Sequence, residues 1–599
     1  MSKIKNWKSS RVDLVDVAMG RKFADTVVCQ GTWVNVYSGE IIPNTDIAIK
    51  SGRFAYIGKS AKHTIGKNTL VVNAKGKFLV PGFCDGHMHV ESGMVTVTEF
   101  SKAVIPHGTT TMFVDPHEIA NVLGIEGIRL MHDETLDLPI NVFLQIPSCV
   151  PSAPGLETAG ASLEADEISE ALTWQNVCGL GEVMNFPGVA YNDKKMVDEI
   201  SATWDVKKTI GGHYASADLG LMFHGYVAGG PQDDHEGTRK EDAIARVRQG
   251  MKAMLRLGSA WYDVASQVKA ITEDGLDPRN FILCTDDSHS GTLIEEGHMN
   301  RVVRHAISQG LKPITAIQMA TLNTAQHFNM EYELGSIAPG RRADMIITSD
   351  LTQLPIETVF AHGTVIAKNG KLKARLKHFS YPESARNTVK VKKELASTDF
   401  DVYAPDKEKG NLVKVRTIGI VENQAPTKLL ISKLKVKNKI VQMDRDRDIC
   451  QVSLIERHKF TGDIVNGFVS GFGYNVNCAV ASTIAHDSHH MIVVGTDKKD
   501  MALAVNKLAD IKGGLIVCSR GEILAMLDLP IAGLMSDEVA KTVAKKANSI
   551  VSAMKNCGCQ LNNAIMQHSL LALAVIPEIR ISDLGIIDVN KFQHVDLFV

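Results

Sequence analysis

Between residues 78 and 334, short apolar runs alternate with helical patterns, and that alternation limits the fold more than any other feature of the chain. Apolar runs bounded by turn residues read as buried strands, and their regular exchange with helices marks parallel βα units. Candidate strands end near His89, Asp115, Pro147, Glu182, His213, His235, Arg256 and Asp286. Eight of them would close a (β/α)8 barrel, whose chemistry sits at the carboxyl ends of the strands. Most of these end residues are polar, as a site at that rim requires. Before the seventh strand, Ile244 and Val247 keep helical spacing. Gly250 then precedes Met251, Met254 and Leu255, where the methionines read as core.

His87-Met88-His89 is the sharpest chemical signal at the rim. It follows the apolar run Phe78-Leu79-Val80 and the turn residues Pro81-Gly82, read together as one buried strand. Side chains two apart on a strand share a face, so both imidazoles point at one spot. Paired imidazoles suit zinc, iron, copper or nickel, although a bare His-x-His is more often a packed or solvent-facing pair. The flanking Pro81-Gly82, Asp85-Gly86 and Glu91 change that balance: PGFCDGHMHVESG resembles the first-strand metal motif of the amidohydrolase superfamily.

Later strand ends offer further donors. Glu182 interrupts the apolar strand Gly179-Leu180-Gly181-Glu182-Val183, where an unpaired charge is costly, so it reads as a bridge between cations or as one half of a salt bridge. His213 after Gly211-Gly212 and His235 in Asp233-Asp234-His235-Glu236 are candidates for a second metal; alone, each fits a hydrogen-bonded core or surface histidine equally well. Asp286 follows Phe281-Ile282-Leu283-Cys284-Thr285 and would complete the set, with Asp287 as its rival.

Several segments together are similar to the bacterial adenine deaminases within that superfamily. They are HMHVESG at 87–93, VDPHEIANVLG at 114–124, the Glu182 strand, CTDD at 284–287, and the distal IERH, GFVSGFG, AHDSHH, IVVGT and LPIAGLMSD. The distal segments discriminate, because other amidohydrolases generally lack the extra C-terminal domain. GGHYASADLG at 211–220 departs from the usual surroundings of the strand-five histidine. The resemblance implies that His87, His89 and Asp286 bind one metal, His213 and His235 another, and that Glu182 bridges them in place of a carboxylated lysine. It implies two divalent ions per subunit, and the family's behaviour favours manganese or iron; the imidazole and carboxylate donors by themselves accept iron, manganese or zinc without ranking them. It also implies hydrolysis of adenine to hypoxanthine and ammonia by a hydroxide held between two metals, attacking C6. Asp286 would carry the proton from water to the departing amine. Glu118, in Asp115-Pro116-His117-Glu118, or Glu91 would protonate ring N1, Glu118 being preferred; either could instead orient a metal-bound imidazole. AHDSHH at 485–490 reads as structural first, with pocket lining, a subunit interface or a further metal site of undefined ligand geometry as the alternatives. A competing reading is a cyclic amide hydrolase of the dihydroorotase or hydantoinase type, but those relatives commonly use a bridging lysine. A barrel kept only for binding or assembly would be expected to lack some of the ligands.

The 599 residues exceed one core and imply two or three domains. The fold class expected is α/β: a metal-dependent (β/α)8 barrel over 78–334, a small β-sandwich built from both flanks at 25–77 and 335–385, and an additional C-terminal α/β domain over 400–599. An N-terminal extension covers 1–24, and the charged stretch 373–412 leads into the distal domain. Lys plus Arg number 65 against 67 Asp plus Glu, for a formal charge of -2, so no broad field attracts nucleic acid. The ten cysteines show no CxxC pair and suggest neither a disulfide framework nor a thiolate metal site. With no long apolar segment for a membrane or a signal peptide, the expectation is a cytoplasmic enzyme acting on a small molecule, as a homodimer.

Overall fold

The computed structural model describes residues 7–405 and 411–599. Residues 1–6 of the expected N-terminal extension and 406–410 at the start of the expected distal domain lie outside the described residues. Eight parallel strands follow the alternation read above: β1 (Phe83–His89), β2 (Thr109–Val114), β3 (Asn141–Ile146), β4 (Val177–Val183), β5 (Thr209–Gly212), β6 (Asp233–Asp234), β7 (Lys252–Arg256) and β8 (Phe281–Cys284). Every residue of β1 to β4 is buried, which fits parallel strands covered on both faces.

β1 to β5 pair in order, and β6, β7 and β8 form a second run. The run of eight returns on itself where Asp286 and Asp287 pair with Met88 and His89. Asp85 secures the same seam by accepting from Thr285 N at 3.0 Å and Thr285 Oγ1 at 2.6 Å. Between β5 and β6 single bonds replace a ladder: Gln232 N donates to Ile210 O at 2.9 Å, and Gly212 N to Asp233 Oδ1 at 3.0 Å. The helix before β7 spans Lys240–Arg248 and stops short of Gly250, whose φ of 88° turns the chain into the strand.

The approach to His87 differs from the single strand expected. Phe78–Pro81 belongs to another sheet, pairing with Thr26–Asn35 and Met345–Thr348, whereas the histidines belong to β1. The switch falls at Gly82: a Cβ there would lie 2.2 Å from Thr110 Oγ1, so only glycine permits the close crossing. A nine-stranded sheet thus draws on both flanks of the barrel segment, taking Thr26–Asn35, Glu40–Lys50 and Arg53–Gly58 from one side and Met345–Thr348, Ile356–Ala361 and Thr364–Lys368 from the other. Thr26–Asn35 runs as one strand, with irregular pairing around Gly31.

The distal half builds a second nine-stranded, mostly antiparallel sheet. Helices Lys498–Asp510 and Ala540–Asn556 pack on its strands. An apolar cluster containing Met184, Trp261, Leu570, Leu573 and Ile576 joins this half to loops at the barrel rim. Among the described residues no helix is long and apolar enough to cross a membrane.

Candidate metal centre

All six donors expected from the sequence meet at the carboxyl rim of the barrel, and all are buried. His87, His89, Glu182 and Asp286 place one potential ligand atom each within 4.8 Å of one another, and so do Glu182, His213 and His235. Glu182 is common to both sets. Its Oε1 lies 2.9 Å from His87 Nε2 and 2.8 Å from His89 Nε2, and its Oε2 lies 2.5 Å from His213 Nδ1. Asp286 Oδ1 is 3.2 Å from His89 Nε2, and His235 Nε2 is 3.8 Å from Glu182 Oε1. The rings of His87 and His235 stack with centroids 4.0 Å apart.

The local backbone explains this convergence. β1 sets His87 and His89 on one face, with their Nε2 atoms 3.2 Å apart, and Asp115 O lies 2.9 Å from His89 Nδ1, leaving Nε2 for the centre. Asp115 also accepts from Glu182 N at 2.7 Å through Oδ2. Gly181 makes room for that carboxylate, which would lie 2.1 Å from a Cβ at 181. His213 is held by Tyr226, whose hydroxyl accepts from His213 N at 2.7 Å and donates to Val183 O at 2.9 Å. Asp286 takes a left-handed φ of 59°, and Arg256 Nη1 donates to its Oδ2 at 2.7 Å.

The donors fit a divalent cation. Four imidazoles and two carboxylates are nitrogen and oxygen ligands suited to zinc, iron or manganese. His213 Nε2 is buried without a hydrogen-bond partner among the described residues. Burial alone would push Glu182 upward, yet the neighbouring His213, His235 and His89 hold its carboxyl well below the usual carboxylate range. Asp286 is likewise held low against burial, by His89 and Arg256. Both carboxylates are therefore anionic and able to coordinate.

A pocket opens over this cluster, lined by Glu118, Asp287, His117 and Glu236 as well as by His89, Glu182, His213, His235 and Asp286. Glu118 is buried and raised above its ordinary value, burial outweighing the opposing pull of His486 and His117. Glu91 is also buried and raised to about 7, by burial and by Glu118, but it does not line the pocket; its Oε1 accepts from Ile119 N at 3.2 Å.

The distal half supplies residues that the strand-end reading did not include. His486 and Asp487, within AHDSHH, line the pocket together with Ala425, Leu570, Leu573 and Ile576. His486 Nδ1 lies 3.5 Å from Glu118 Oε1, and Asp487 Oδ1 lies 3.5 Å from His117 Nε2. Arg457 steadies this turn, with Nε donating to His489 O and Nη2 to Ala532 O at 2.9 Å. Asp115, His117 and Arg256 were visible in the sequence only as polar residues at strand ends. Their orienting roles follow from contacts between strands.

Two family models match the chain: Amidohydrolase family over residues 78–391 and Adenine deaminase C-terminal domain over residues 424–593. Adenine deaminase 3 of Rhizobium meliloti (strain 1021) is 67% identical over 593 residues, covering 99% of each chain. The adenine deaminase of Mesorhizobium japonicum is 66% identical over 598 residues, 100% of this chain and 98% of that one. That of Clostridium botulinum is 42% identical over 593 residues, 99% of this chain and 98% of that one.

Proposed function

We propose that this chain, which belongs to the adenine deaminases of the amidohydrolase family, hydrolyses adenine to hypoxanthine and ammonia at the buried imidazole and carboxylate cluster. The observation that carries the reading is the position of Glu182, one oxygen toward His87 and His89 and the other toward His213, beneath a pocket closed by the adenine deaminase-type distal half. His87, His89 and Asp286 would hold one divalent ion, His213 and His235 a second, and Glu182 would serve both. Manganese or iron suits this thiolate-free set, and zinc is also accommodated. Bound cations supply Lewis acidity, which brings the pKa of water down to about 7.

The chain's own groups manage the protons. Water oxygen adds to C6 as Asp286 accepts one water proton, while Glu118 donates its proton to N1. Asp286 then delivers its proton to the exocyclic nitrogen, and the C6–N bond breaks to release ammonia. The proton left on the C6 oxygen returns to Glu118, giving the lactam form of hypoxanthine. His486 beside Glu118 and Arg256 on Asp286 keep the two proton carriers in place. The test is ammonia release from a panel of adenine, adenosine and a cyclic amide, using manganese-loaded and iron-loaded protein with metal content measured in parallel. Turnover of the cyclic amide in place of adenine would overturn the assignment.

A further inference from the structure

Arg580 is one of the largest side chains buried almost completely, at 1% exposure, and it forms no ion pair among the described residues. A guanidinium taken from water without a carboxylate is costly unless its donors are met. Backbone carbonyls meet them here. Nε donates to Ile576 O at 2.8 Å and Nη1 to Leu570 O at 2.8 Å, while Nη2 donates to Ala425 O at 2.6 Å and Pro577 O at 3.3 Å. Three of those four carbonyls belong to residues whose side chains line the pocket over the metal centre.

These segments lack a regular ladder of their own. Leu570 lies in a short 3-10 turn, Leu573 to Glu578 is irregular, and Ala425 lies in the loop before strand Lys428–Lys437. Buried carbonyls in irregular backbone need donors, and one planar guanidinium with five N–H groups can reach several strands of chain at once. Arg580 itself is fixed in strand Ile579–Ser582, which pairs with Gly585–Asp588. The carbonyl-capped arginine therefore ties a regular hairpin to the loose backbone that forms one wall of the pocket. That wall is apolar, built by Ala425, Leu570, Leu573 and Ile576, and Met184 and Trp261 from the barrel side continue it. Such a surface suits the face of a flat heteroaromatic base.

We infer that Arg580 is a positioning residue for substrate binding, holding the apolar wall of the distal half at the spacing a planar purine base requires. The inference rests on the proposed deaminase function and deepens it, because it assigns selection of the base to a group that touches neither metal ligand nor substrate. The test uses full-length, metal-loaded protein. Arg580→Lys keeps the charge but cannot span four carbonyls. It is expected to raise the KM for adenine about tenfold, with kcat within threefold, bound metal per chain unchanged and faster amide exchange across 570–578. Leu573→Ala opens the wall directly and should raise KM as well, and the double variant should fall short of the product of the two effects. An unchanged KM in Arg580→Lys, or loss of KM, kcat and metal together, would overturn the inference. If Arg580→Lys does not fold, Leu573→Ala decides: raised KM supports the wall, unchanged KM overturns it. A wild-type chain that releases no ammonia from adenine overturns the functional reading itself, a result distinct from an active wild type beside an unaltered Arg580→Lys.

Discussion

His213 Nδ1 lies 2.5 Å from Glu182 Oε2, so the fifth barrel strand brings its imidazole to a carboxylate carried by the fourth. The other oxygen of that carboxylate faces His87 and His89 on the first strand. One buried anion thus stands between two groups of imidazoles, where it can offset the repulsion of two cations. Glu182→Gln keeps the shape and removes the charge. Bound metal should drop below one ion per chain, and kcat/KM should fall by more than the roughly 10–100-fold that loss of an outer-shell partner costs. A purified variant that retained two ions would contradict the bridging role.

Asp286 divides its oxygens between Arg256, at 2.7 Å, and His89, at 3.2 Å. A group meant to accept and return one proton needs a fixed direction, and the guanidinium supplies it. Asp286→Asn should lower kcat about 10²–10⁴-fold, the usual range for a lost proton carrier. Arg256→Met should lower kcat less and weaken metal retention, because the freed carboxylate can rotate. Equal kcat in wild type and Asp286→Asn at matched metal content would remove Asp286 from proton transfer.

If Glu118 is the acid proposed above, it should govern the alkaline side of the pH profile. Burial raises its carboxyl above the ordinary value while His486 and His117 oppose that rise. An acid with a raised pKa keeps its proton to higher pH, so kcat/KM should hold to higher pH than an ordinary carboxyl would allow and decline as pH climbs through the raised value. His486 remains cationic at neutral pH: burial lowers it, but Glu118 and Asp487 raise it to about 9. Removing that positive charge in His486→Asn should move the decline to higher pH, and Glu118→Gln should abolish most of the rate. Profiles of kcat/KM between pH 6 and about 9.5 would show this, and a downward shift in His486→Asn would contradict the proposed coupling.

The eight strand ends were legible because an apolar run that stops at a polar residue leaves a plain mark in one dimension. His87, His89, Glu182, His213, His235 and Asp286 all lie at such stops, and the parallel barrel brings them to one rim. The split at Gly82 was marked only by the turn residues Pro81-Gly82, and because Phe78–Pro81 and β1 are both largely buried the two read as one strand although they serve different sheets. For AHDSHH the sequence offered pocket lining as one of several roles and could not choose among them. Its contacts with His117 and Glu118 depend on how the distal half seats on the barrel, a long-range arrangement that local periodicity does not encode. Arg580 belongs to none of the sequence motifs, because the carbonyls that surround it come together only in three dimensions.

Glu199 provides a test of stability separate from the reaction. It lies in helix Lys194–Asp205, fully buried, and neither carboxylate oxygen has a hydrogen-bond partner among the described residues. Lys195 Nζ stands 3.9 Å away, yet burial prevails and raises the carboxyl from its ordinary 4.5 to about 8. The protonated form therefore folds best. Its contribution is fully present below about pH 4.5 and is lost as pH rises through about 8. Glu199→Gln, which stays neutral, should gain on the wild type between those limits by up to about 5 kcal/mol, one pKa unit being worth about 1.4 kcal/mol. Urea unfolding midpoints at pH 5 and pH 8.5 would measure the gap, roughly closed at the lower pH and open at the higher. An offset of the same size at both values would show that ionisation of Glu199 carries no penalty in the folded chain.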